Sequence, residues 1–599
     1  DLDGLVGPEA SRVWAGTFHH VGNRLLRRAA PLLGLQPNFT ILDSEDQIDL
    51  LRLAMDDAEL AGTEKMAPKA SQVLHLLSFG INTGQSIKEV VETRSPDFSH
   101  WVPNLEKVAD AFAARKLAAN SVDYDDLLVL WRRLLTDFPE QLEQQARMFR
   151  HLLIDEMQDT NALQIGIVEA IANAGAGNIT AVGDDAQSIY RFRGANYDNI
   201  LKFNERYPDA KIFPLEVNYR STPQVVALTN ASIARNKTGF AKNLVSARSD
   251  GLLPVVIATP TVFEEASLVC QQILEARESG VSLDRIAVLY RNHYDSIVLQ
   301  GELLTRGIPY LVRSGMRFFE QAHVKDVLAH LRVVVNPSDE ASWRRLLLLL
   351  PGIGAVKASA IFRKISQAAD PLKALESAET MAVVPPKSKG LFAAFVGDIQ
   401  RIRGTDPERN PAAAIGAVLK GGYKSTLKER YDRAENRLAD LEQFAVLGSK
   451  YESLERMLSD LLLAGDVYGM ESATAPNPEE VLVLSTVHQA KGLEWSHVFV
   501  IRLVEETFPH SRSLDEPDGE EEERRIFYVA VSRTMNELTL TYPSTISRGS
   551  YGPTVFTTPS RFLTELPEAL YERAELELDD SEIFGADFPP KGFRGREDR

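Results

Sequence analysis

The segment HLLIDEMQDT, residues 151–160, holds a short apolar strand that ends in two adjacent carboxylates, Asp155 and Glu156. Ligands of open α/β sheets usually bind beyond the carboxyl ends of the strands, which is where these side chains would lie. Mg²⁺ prefers an oxygen ligand such as Asp155, and a neighbouring carboxylate such as Glu156 can orient and deprotonate an attacking water. The alternative is a pair of solvated acids at the end of a buried strand. The rest of the sequence must decide between these two interpretations.

Seven apolar, β-branched runs alternate with longer helical stretches. They are LLI (152–154), ITAV (179–182), PVVIAT (254–259), IAVLY (286–290), VLVLST (481–486), HVFVI (497–501) and LTLTY (538–542). Short continuous apolar strands joined by helices are typical of parallel sheets covered on both faces. The pattern therefore predicts an α/β fold with at least two sheet domains, one before about residue 215 and one after it.

Two stretches of helical periodicity, roughly 43–125 and 316–475, interrupt these sheet domains. Apolar residues recur in them at three- and four-residue spacing, as on amphipathic helices. From about Glu565 the sequence is acidic and contains little apolar material. Such a composition cannot bury enough apolar surface to order itself, so we expect a flexible tail there.

Length and composition narrow the class of protein. A chain of 599 residues is too long for one hydrophobic core, and 44% hydrophobic with 25% charged residues is an ordinary globular balance. No apolar run approaches the roughly 18 to 20 residues of a membrane span, so no membrane association is expected. The single cysteine, Cys270, fits a reducing cytoplasm and leaves metal binding to oxygen ligands. With a net charge of −18, any nucleic-acid path must be a local groove.

A second candidate segment, ITAVGDDAQSIYRFRGA, covers residues 179–195. Gln187 could bind a terminal phosphate through hydrogen bonds. Tyr190 and Phe192 alternate with arginines, including Arg193, and this arrangement suits base stacking beside phosphate contacts. The alternative is a glycine-rich turn with core aromatics.

Three further segments each contain one candidate residue. VNYRST (217–222) and VAVSRT (529–534) present Arg220 and Arg533 in apolar surroundings, and STVHQAKGLEW (485–495) presents His488. Arginine can contact phosphate through two nitrogens and stabilise charge that develops in phosphoryl transfer. Taken singly, each arginine could equally be a structural ion-pair residue, and the histidine a satisfied loop residue.

Taken together and in order, six strings resemble the helicase motifs of the UvrD/Rep/PcrA family of superfamily 1. They are TFHHVGNRLLR (17–27), LLIDEMQD (152–159), VGDDAQSIYRFRGA (182–195), LEVNYRST (215–222), VLSTVHQAKGLEW (483–495) and EEERRIFYVAVSRT (521–534). The resemblance extends over the chain up to about residue 568.

This resemblance implies two RecA-like parallel-sheet motor domains, each interrupted by a mainly helical insertion, with ATP between them and single-stranded DNA across both. The implied segments are 1–42 and 126–215 for the first motor domain, 43–125 for its insertion, 216–315 and 476–568 for the second motor domain, 316–475 for its insertion, and 569–599 for an acidic flexible tail.

The resemblance also implies roles for residues at the nucleotide. Asp155 would bind Mg²⁺, and Glu156 would activate water. The remaining assignments are Gln187, Arg220 and Arg533 as sensors of the γ-phosphate, Tyr219 as the adenine-stacking ring, and Gly492 and Glu494 as part of the nucleotide site, with Glu494 on the ribose.

Further positions match those that contact DNA in the family. Thr17, Phe18, His19, Tyr190, Phe192, Arg193 and His488 match positions along the single strand. Gly352 and Gly354, in PGIG (351–354), resemble a loop that touches duplex backbone, although a helix C-cap and turn explains them equally.

The implied activity is ATP-dependent 3′ to 5′ DNA unwinding and single-strand translocation in DNA repair, replication or recombination, with single-stranded DNA, its junctions with duplex, and a repair or replication accessory protein as partners. A non-catalytic DNA-binding or partner-binding subunit is the alternative. A larger helicase–nuclease is disfavoured, since no acidic nuclease constellation follows residue 568.

Beside the mild changes at Ala186 and Ser532, two departures from the family pattern bear on function. Phe192 occupies a position that is usually tryptophan, which shrinks the stacking face. No G-x-x-x-x-G-K-[ST] string occurs among the 599 residues, and KGGYKST (420–426) has Tyr423 where the second glycine belongs. The family places this phosphate-binding loop ahead of the TFH string. We therefore expect the chain to lack its N-terminal part and to be inactive by itself.

Overall fold

The computed structural model describes residues 4, 7, 13–58, 67–313, 318, 321–431, 434–454, 456–458, 480–547 and 554–576. The chain divides into two compact units, which we call unit 1 (Asp1–Phe213) and unit 2 (Pro214–Arg599). No helix in the described ranges is both long enough and apolar enough to cross a membrane.

Unit 1 is mainly helical and carries two short pairs of parallel strands. Its helices are α1 Phe18–Ala29, α2 Ser44–Asp57, α3 Ala70–Thr83, α4 Ile87–Arg94, α5 Val102–Ala118, α6 Tyr124–Asp137, α7 Pro139–Met148, α8 Ala162–Ala174, α9 Asp198–Leu201 and α10 Phe203–Arg206. Its strands are β1 Thr40–Ile41, β2 Ser121–Val122, β3 Leu152–Ile154 and β4 Ile179–Ala181, paired β1 with β2 and β3 with β4.

Separate apolar clusters organise the described part of unit 1, and two of them distinguish its helices. Helices α1, α6 and α8 pack together through residues such as Leu25, Trp131 and Ile167 beside β3. Helices α2 to α5, all within the stretch 43–125, surround a different cluster that includes Val73 and Leu105. The β1–β2 pair joins the two ends of this helical stretch, so the stretch leaves and re-enters the rest of unit 1 at adjacent strands.

Unit 2 contains the larger sheet and most of the helices. Its strands are β5 Val217–Asn218, β6 Val245–Ser246, β7 Val255–Thr259, β8 Ile286–Tyr290, β9 Tyr310–Val312, β10 Leu482–Thr486, β11 Trp495–Val500, β12 Thr534–Pro543, β13 Thr545–Ser547, β14 Thr554–Phe556 and β15 Glu572–Glu575. Its helices are α11 Pro223–Ile233, α12 Val262–Glu278, α13 Ile297–Thr305, α14 Ala322–Val335, α15 Glu340–Leu349, α16 Ala355–Ser366, α17 Pro371–Ala374, α18 Ala378–Val383, α19 Lys389–Arg403, α20 Pro411–Lys420, α21 Tyr423–Arg430, α22 Ala434–Gly448, α23 Val487–Ala490, α24 Ser511–Leu514, α25 Gly519–Val531 and α26 Arg561–Thr564.

Seven parallel strands form the central sheet of unit 2, in the order β15-β7-β12-β11-β8-β10-β9. Every residue of the inner strand β8 is buried, as expected for a sheet that is covered on both faces. Between β9 and β10, helices α14 to α22 enclose their own core around Trp343, Phe392 and Phe444. The predicted fold class, α/β with a parallel sheet and helical insertions, is confirmed.

The structure corrects two sequence-based expectations. The acidic tail was placed from residue 569, but Glu572–Glu575 form the edge strand β15, paired with β7. Backbone pairing at a sheet edge needs no apolar side chains, so composition did not indicate it. Residues 577–599 of that tail lie outside the described residues. Strand β3 is not buried throughout, because Leu153 is 79% exposed.

Candidate nucleotide and DNA sites

The two carboxylates of the DEMQD string lie at the C-terminal end of β3 in unit 1. Asp155 and Glu156 are both exposed, and the Glu156 N–H donates to Asp155 Oδ1 at 2.9 Å. Glu156 has a left-handed backbone, with φ of 50°, which is uncommon for a residue other than glycine. This turn ends the strand and directs two oxygen-bearing side chains to solvent, where a ligand can reach them.

A chain of hydrogen bonds connects Glu156 with Gln187. The buried Gln158 side chain donates to the Glu156 carboxylate and accepts the Asp184 N–H at 3.0 Å. Asp184 Oδ2 in turn accepts from Gln187 Nε2 at 2.9 Å. A Cβ on Gly183 would lie 2.4 Å from Gln158 Oε1, so glycine leaves room for this amide. The structure therefore joins two residues that the sequence analysis had connected only through the resemblance.

Sequence reasoning missed Gln158 and Asp184 as members of this network. The available signal was an uncharged amide placed among acids in DEMQD, next to a glycine–aspartate pair in the following strand–turn segment. Their significance depends on which side chains face each other, and spacing along the chain does not reveal that.

The donor set at Asp155 fits a hard cation through its carboxylate oxygens. Within the described part of the chain, no three histidine, cysteine, aspartate or glutamate side chains are grouped closely enough to hold a metal.

The TFH string begins helix α1 of unit 1. Thr17 is the N-cap, and its Oγ1 accepts the His20 N–H at 3.3 Å. Phe18 is half-buried against the apolar core beside β3, so only part of its ring is open. His19 contacts the Tyr124 ring edge-on, with centroids 5.6 Å apart. The pKa of His19 is lowered overall, because the effect of burial exceeds the opposing effect of the nearby Asp125 carboxylate.

The aromatic pair of the second segment lies at a short 3₁₀ turn, Arg191–Arg193, which contains Phe192 and has Tyr190 as its N-cap. The Tyr190 and Phe192 rings are 6.1 Å apart and tilted by 56°, and Phe192 is 42% exposed. Ile189, immediately before them, is buried. The interpretation as a core-aromatic turn therefore does not fit Phe192. The side chain of Arg193 lies outside the described part of the structure.

In unit 2, the segment VNYRST forms a loop that begins in β5. Asn218 Oδ1 accepts the backbone N–H groups of Arg220 and Ser221, both at 2.9 Å, which turns the chain sharply. Tyr219 is 78% exposed at this turn. The Arg220 guanidinium donates through Nε to Glu494 at 2.5 Å and through one Nη to the Ser532 carbonyl at 3.2 Å.

Arg533 lies next to this loop and is only 1% exposed. Its guanidinium donates to the carbonyl oxygens of Val529 at 3.1 Å and Leu493 at 3.2 Å. Arg220, Glu494 and Arg533, which are far apart in sequence, are thus brought together within unit 2. Gly492 adjoins them with φ of 83°, a conformation that favours glycine.

The two remaining predicted contacts lie elsewhere in unit 2. His488 is half-buried in the short helix α23, which follows β10. Gly352 has φ of 84°, and a Cβ there would lie 2.6 Å from Ser388 Oγ. Gly354 is the N-cap of α16. PGIG is therefore the turn between α15 and α16.

Exposed carboxylates at a strand end and paired arginines on a parallel α/β sheet are features of enzymes that hydrolyse nucleoside triphosphates. A family model of the UvrD/REP helicase N-terminal domain matches residues 3–208, and one of the UvrD-like helicase C-terminal domain matches residues 213–545. The chain belongs to this UvrD-like helicase family.

Individual relatives agree with this assignment. ATP-dependent DNA helicase PcrA of Bacillus subtilis is 32% identical over 95% of this chain and 78% of its own length. DNA helicase II of Escherichia coli K12 is 32% identical over 96% of this chain and 79% of its own length. ATP-dependent DNA helicase UvrD1 of Mycobacterium tuberculosis is 33% identical over 95% of this chain and 77% of its own length. The resemblance drawn from the motifs is confirmed.

Proposed function

We propose that this UvrD-like helicase uses ATP hydrolysis to travel 3′ to 5′ along single-stranded DNA and to open duplex at single-strand junctions. The relatives named above are ATP-dependent DNA helicases or a DNA helicase, and each match covers most of this chain. The observation that carries the proposal is the exposed pair Asp155 and Glu156, joined to Gln187 through Gln158 and Asp184.

Each unit contributes its own groups to the proposed hydrolysis. In unit 1, Glu156 accepts a proton from the attacking water, and Gln187 contacts the terminal phosphate. Asp155 would hold a Mg²⁺, which would supply charge neutralisation at the phosphates. In unit 2, Arg220 and Arg533 stabilise the negative charge that develops during phosphoryl transfer. Tyr219 stacks on the adenine. Gly492 and Glu494 adjoin the nucleotide.

Glu494 accepts from Arg220 at 2.5 Å and is also the residue proposed to hold the ribose. The Arg220 guanidinium must therefore leave or share this carboxylate when it contacts a phosphate. ATP binding would thus alter an ion pair that is half-exposed in unit 2.

The proposed DNA contacts use exposed rings and backbone turns. Phe192 and Tyr190 present tilted faces on which bases can stack, a sequence-tolerant way to hold a single strand. The remaining proposed contacts are Thr17, Phe18, His19, Arg193 and His488 along the single strand, and Gly352 and Gly354 at duplex backbone. We also propose that the motor domains and insertions follow the sequence-based boundaries, except that the second motor domain extends to the end of β15 at Glu575. We propose that the protein acts in the cytoplasm with a repair or replication accessory protein.

The test measures DNA-stimulated ATP hydrolysis and strand separation. It compares this chain with a version that carries a family phosphate-binding loop ahead of residue 1, called the loop-bearing version below. The duplex substrates have either a 3′ or a 5′ single-stranded tail. We expect hydrolysis in the loop-bearing version and separation only of the 3′-tailed duplex.

Two outcomes would contradict the proposal. Equal separation of both duplexes would contradict the direction of travel. No hydrolysis in the loop-bearing version, with single-strand binding intact, would favour the non-catalytic subunit.

A further inference from the structure

Arg248 follows strand β6 in unit 2 and makes three hydrogen bonds with its guanidinium. One Nη donates to the carbonyl of Arg220 at 2.6 Å and to the carbonyl of Met535 at 2.9 Å. The other Nη donates to Asn536 Oδ1 at 2.7 Å. We propose that Arg248 is a positioning residue for ATP hydrolysis, which fixes Arg220 by tying its loop to the start of β12.

The loop and the strand that Arg248 joins are already in close contact. Ser221 Oγ donates to the Thr534 carbonyl at 2.6 Å, and the Thr222 N–H donates to the Met535 carbonyl at 3.2 Å. Residues 534 and 535 directly follow Arg533. The Arg220 loop is therefore held against the segment that carries the second proposed phosphate-binding arginine.

Arg248 adds a link that these two bonds do not supply. Asn536 Nδ2 donates to Ser496 Oγ at 2.7 Å, and Ser496 lies two residues after Glu494. Arg248 thus connects, through Asn536, the backbone of Arg220 with the strand that follows Glu494. The Arg220 side chain contacts Glu494 directly, so both its backbone and its guanidinium are fixed relative to the same strand.

A guanidinium suits this set of contacts better than any other side chain does. Its planar fork presents several N–H groups in fixed directions, whereas a lysine ammonium is a single point charge on a flexible stem. Arg248 touches the Arg220 backbone and not its guanidinium, so it acts on hydrolysis only through Arg220. A small displacement of a group that must meet a transition state lowers turnover more than it lowers ground-state binding.

The test is a double-mutant cycle in the loop-bearing version, and it rests on the proposed function. We expect R248A to lower kcat of DNA-stimulated ATP hydrolysis about tenfold, with KM for ATP and single-strand affinity changed less than about twofold. R248K should fall between R248A and the unaltered protein. Added to R220A, R248A should cause no further loss of kcat, because its target is already gone.

R235A is the matched control. Arg235 is an exposed arginine of unit 2 that also donates to a backbone carbonyl, that of Glu565 at 3.2 Å. It should leave kcat unchanged. Thermal unfolding of each variant identifies loss of the fold, and if R248A does not fold, N536A removes one acceptor of the same link and should lower kcat in the same direction.

The outcomes separate the two hypotheses. If R220A lowers kcat and R248A does not, or if R248A lowers kcat further in the R220A background, the positioning role is wrong and the proposed function is untouched. If R220A itself leaves kcat unchanged, the proposed role of Arg220 is wrong, and the inference about Arg248 falls with it.

Discussion

The candidate catalytic groups of the two units are held in opposite ways. In unit 1, Asp155 and Glu156 are exposed at the end of a strand whose Leu153 is also exposed, and Glu156 is connected with Gln187 through the Gln158 amide and through the N–H and carboxylate of Asp184. In unit 2, Arg533 is almost fully buried beside a seven-stranded sheet, and its guanidinium is held by backbone carbonyls.

This difference follows from the chemistry each group is proposed to perform. A base that takes a proton from water must meet that water, so it cannot be enclosed before the substrate arrives. A group that supplies only fixed positive charge gains from being held rigidly in a low-dielectric site, since no reorganisation is then needed. The predictions below test this contrast between a reachable base and a held cation.

The largest effect is expected for Glu156→Gln in the loop-bearing version. The amide cannot accept the proton from water, so turnover should fall about a thousandfold or more while ATP binding is retained. Hydrolysis rates and binding of a fluorescent ATP analogue measure the two quantities. An unaltered turnover rate would show that Glu156 is not the base. The contrast between an exposed base in unit 1 and a buried cation in unit 2 would then no longer hold.

Arg533→Ala should have the next largest effect. Loss of a cation that stabilises the transition state should lower kcat about a hundredfold, with single-strand affinity changed less than about threefold. Steady-state kinetics and DNA titrations measure the two effects. Equal losses of kcat and of single-strand affinity would instead identify Arg533 as a structural arginine that holds the backbone of Val529 and Leu493 together.

The smallest effect concerns the pH dependence of the free energy of unfolding. In unit 2, burial of the charged form of a carboxylate lowers that free energy. Burial raises the pKa of Asp295 to about 6, against the lowering effects of Arg502 and of hydrogen bonds from Asn292. Because this pKa lies above the unfolded value of 3.8, the favourable contribution of Asp295 is greatest below about pH 4 and is lost as the pH rises through 6. Asp295→Asn should therefore raise the free energy of unfolding at pH 8, by up to about 3 kcal/mol.

Denaturant unfolding at pH 5 and pH 8 measures this change. The gain from Asp295→Asn should be larger at pH 8 than at pH 5. Asp295→Ala is the control, since it also removes the acceptor for the Asn292 N–H and should be less stable than Asp295→Asn at both pH values. An equal gain at both pH values would contradict the assigned cause.

The strands of the large sheet could be predicted from sequence because burial on both faces demands continuous apolar runs, such as Ile286–Tyr290. The two-residue strands β1, β2, β5 and β6 and the acidic β15 could not, because segments this short or this polar give no periodic apolar pattern. At the candidate site, the motif residues were identifiable by type and order. Gln158 and Arg248 were not, since each matters only through the partners that the fold places beside it.

The parallel pairing of β9 with β10 bears on how the second insertion could have arisen. Two neighbouring parallel strands cannot be joined by a tight turn, because the chain must run back from the carboxyl end of one strand to the level at which the next strand begins. A long connection is therefore compulsory at this point, with or without extra helices. The helical body between these strands occupies a return path that the sheet already required, so it could lengthen over evolutionary time without interrupting a single strand-to-strand hydrogen bond.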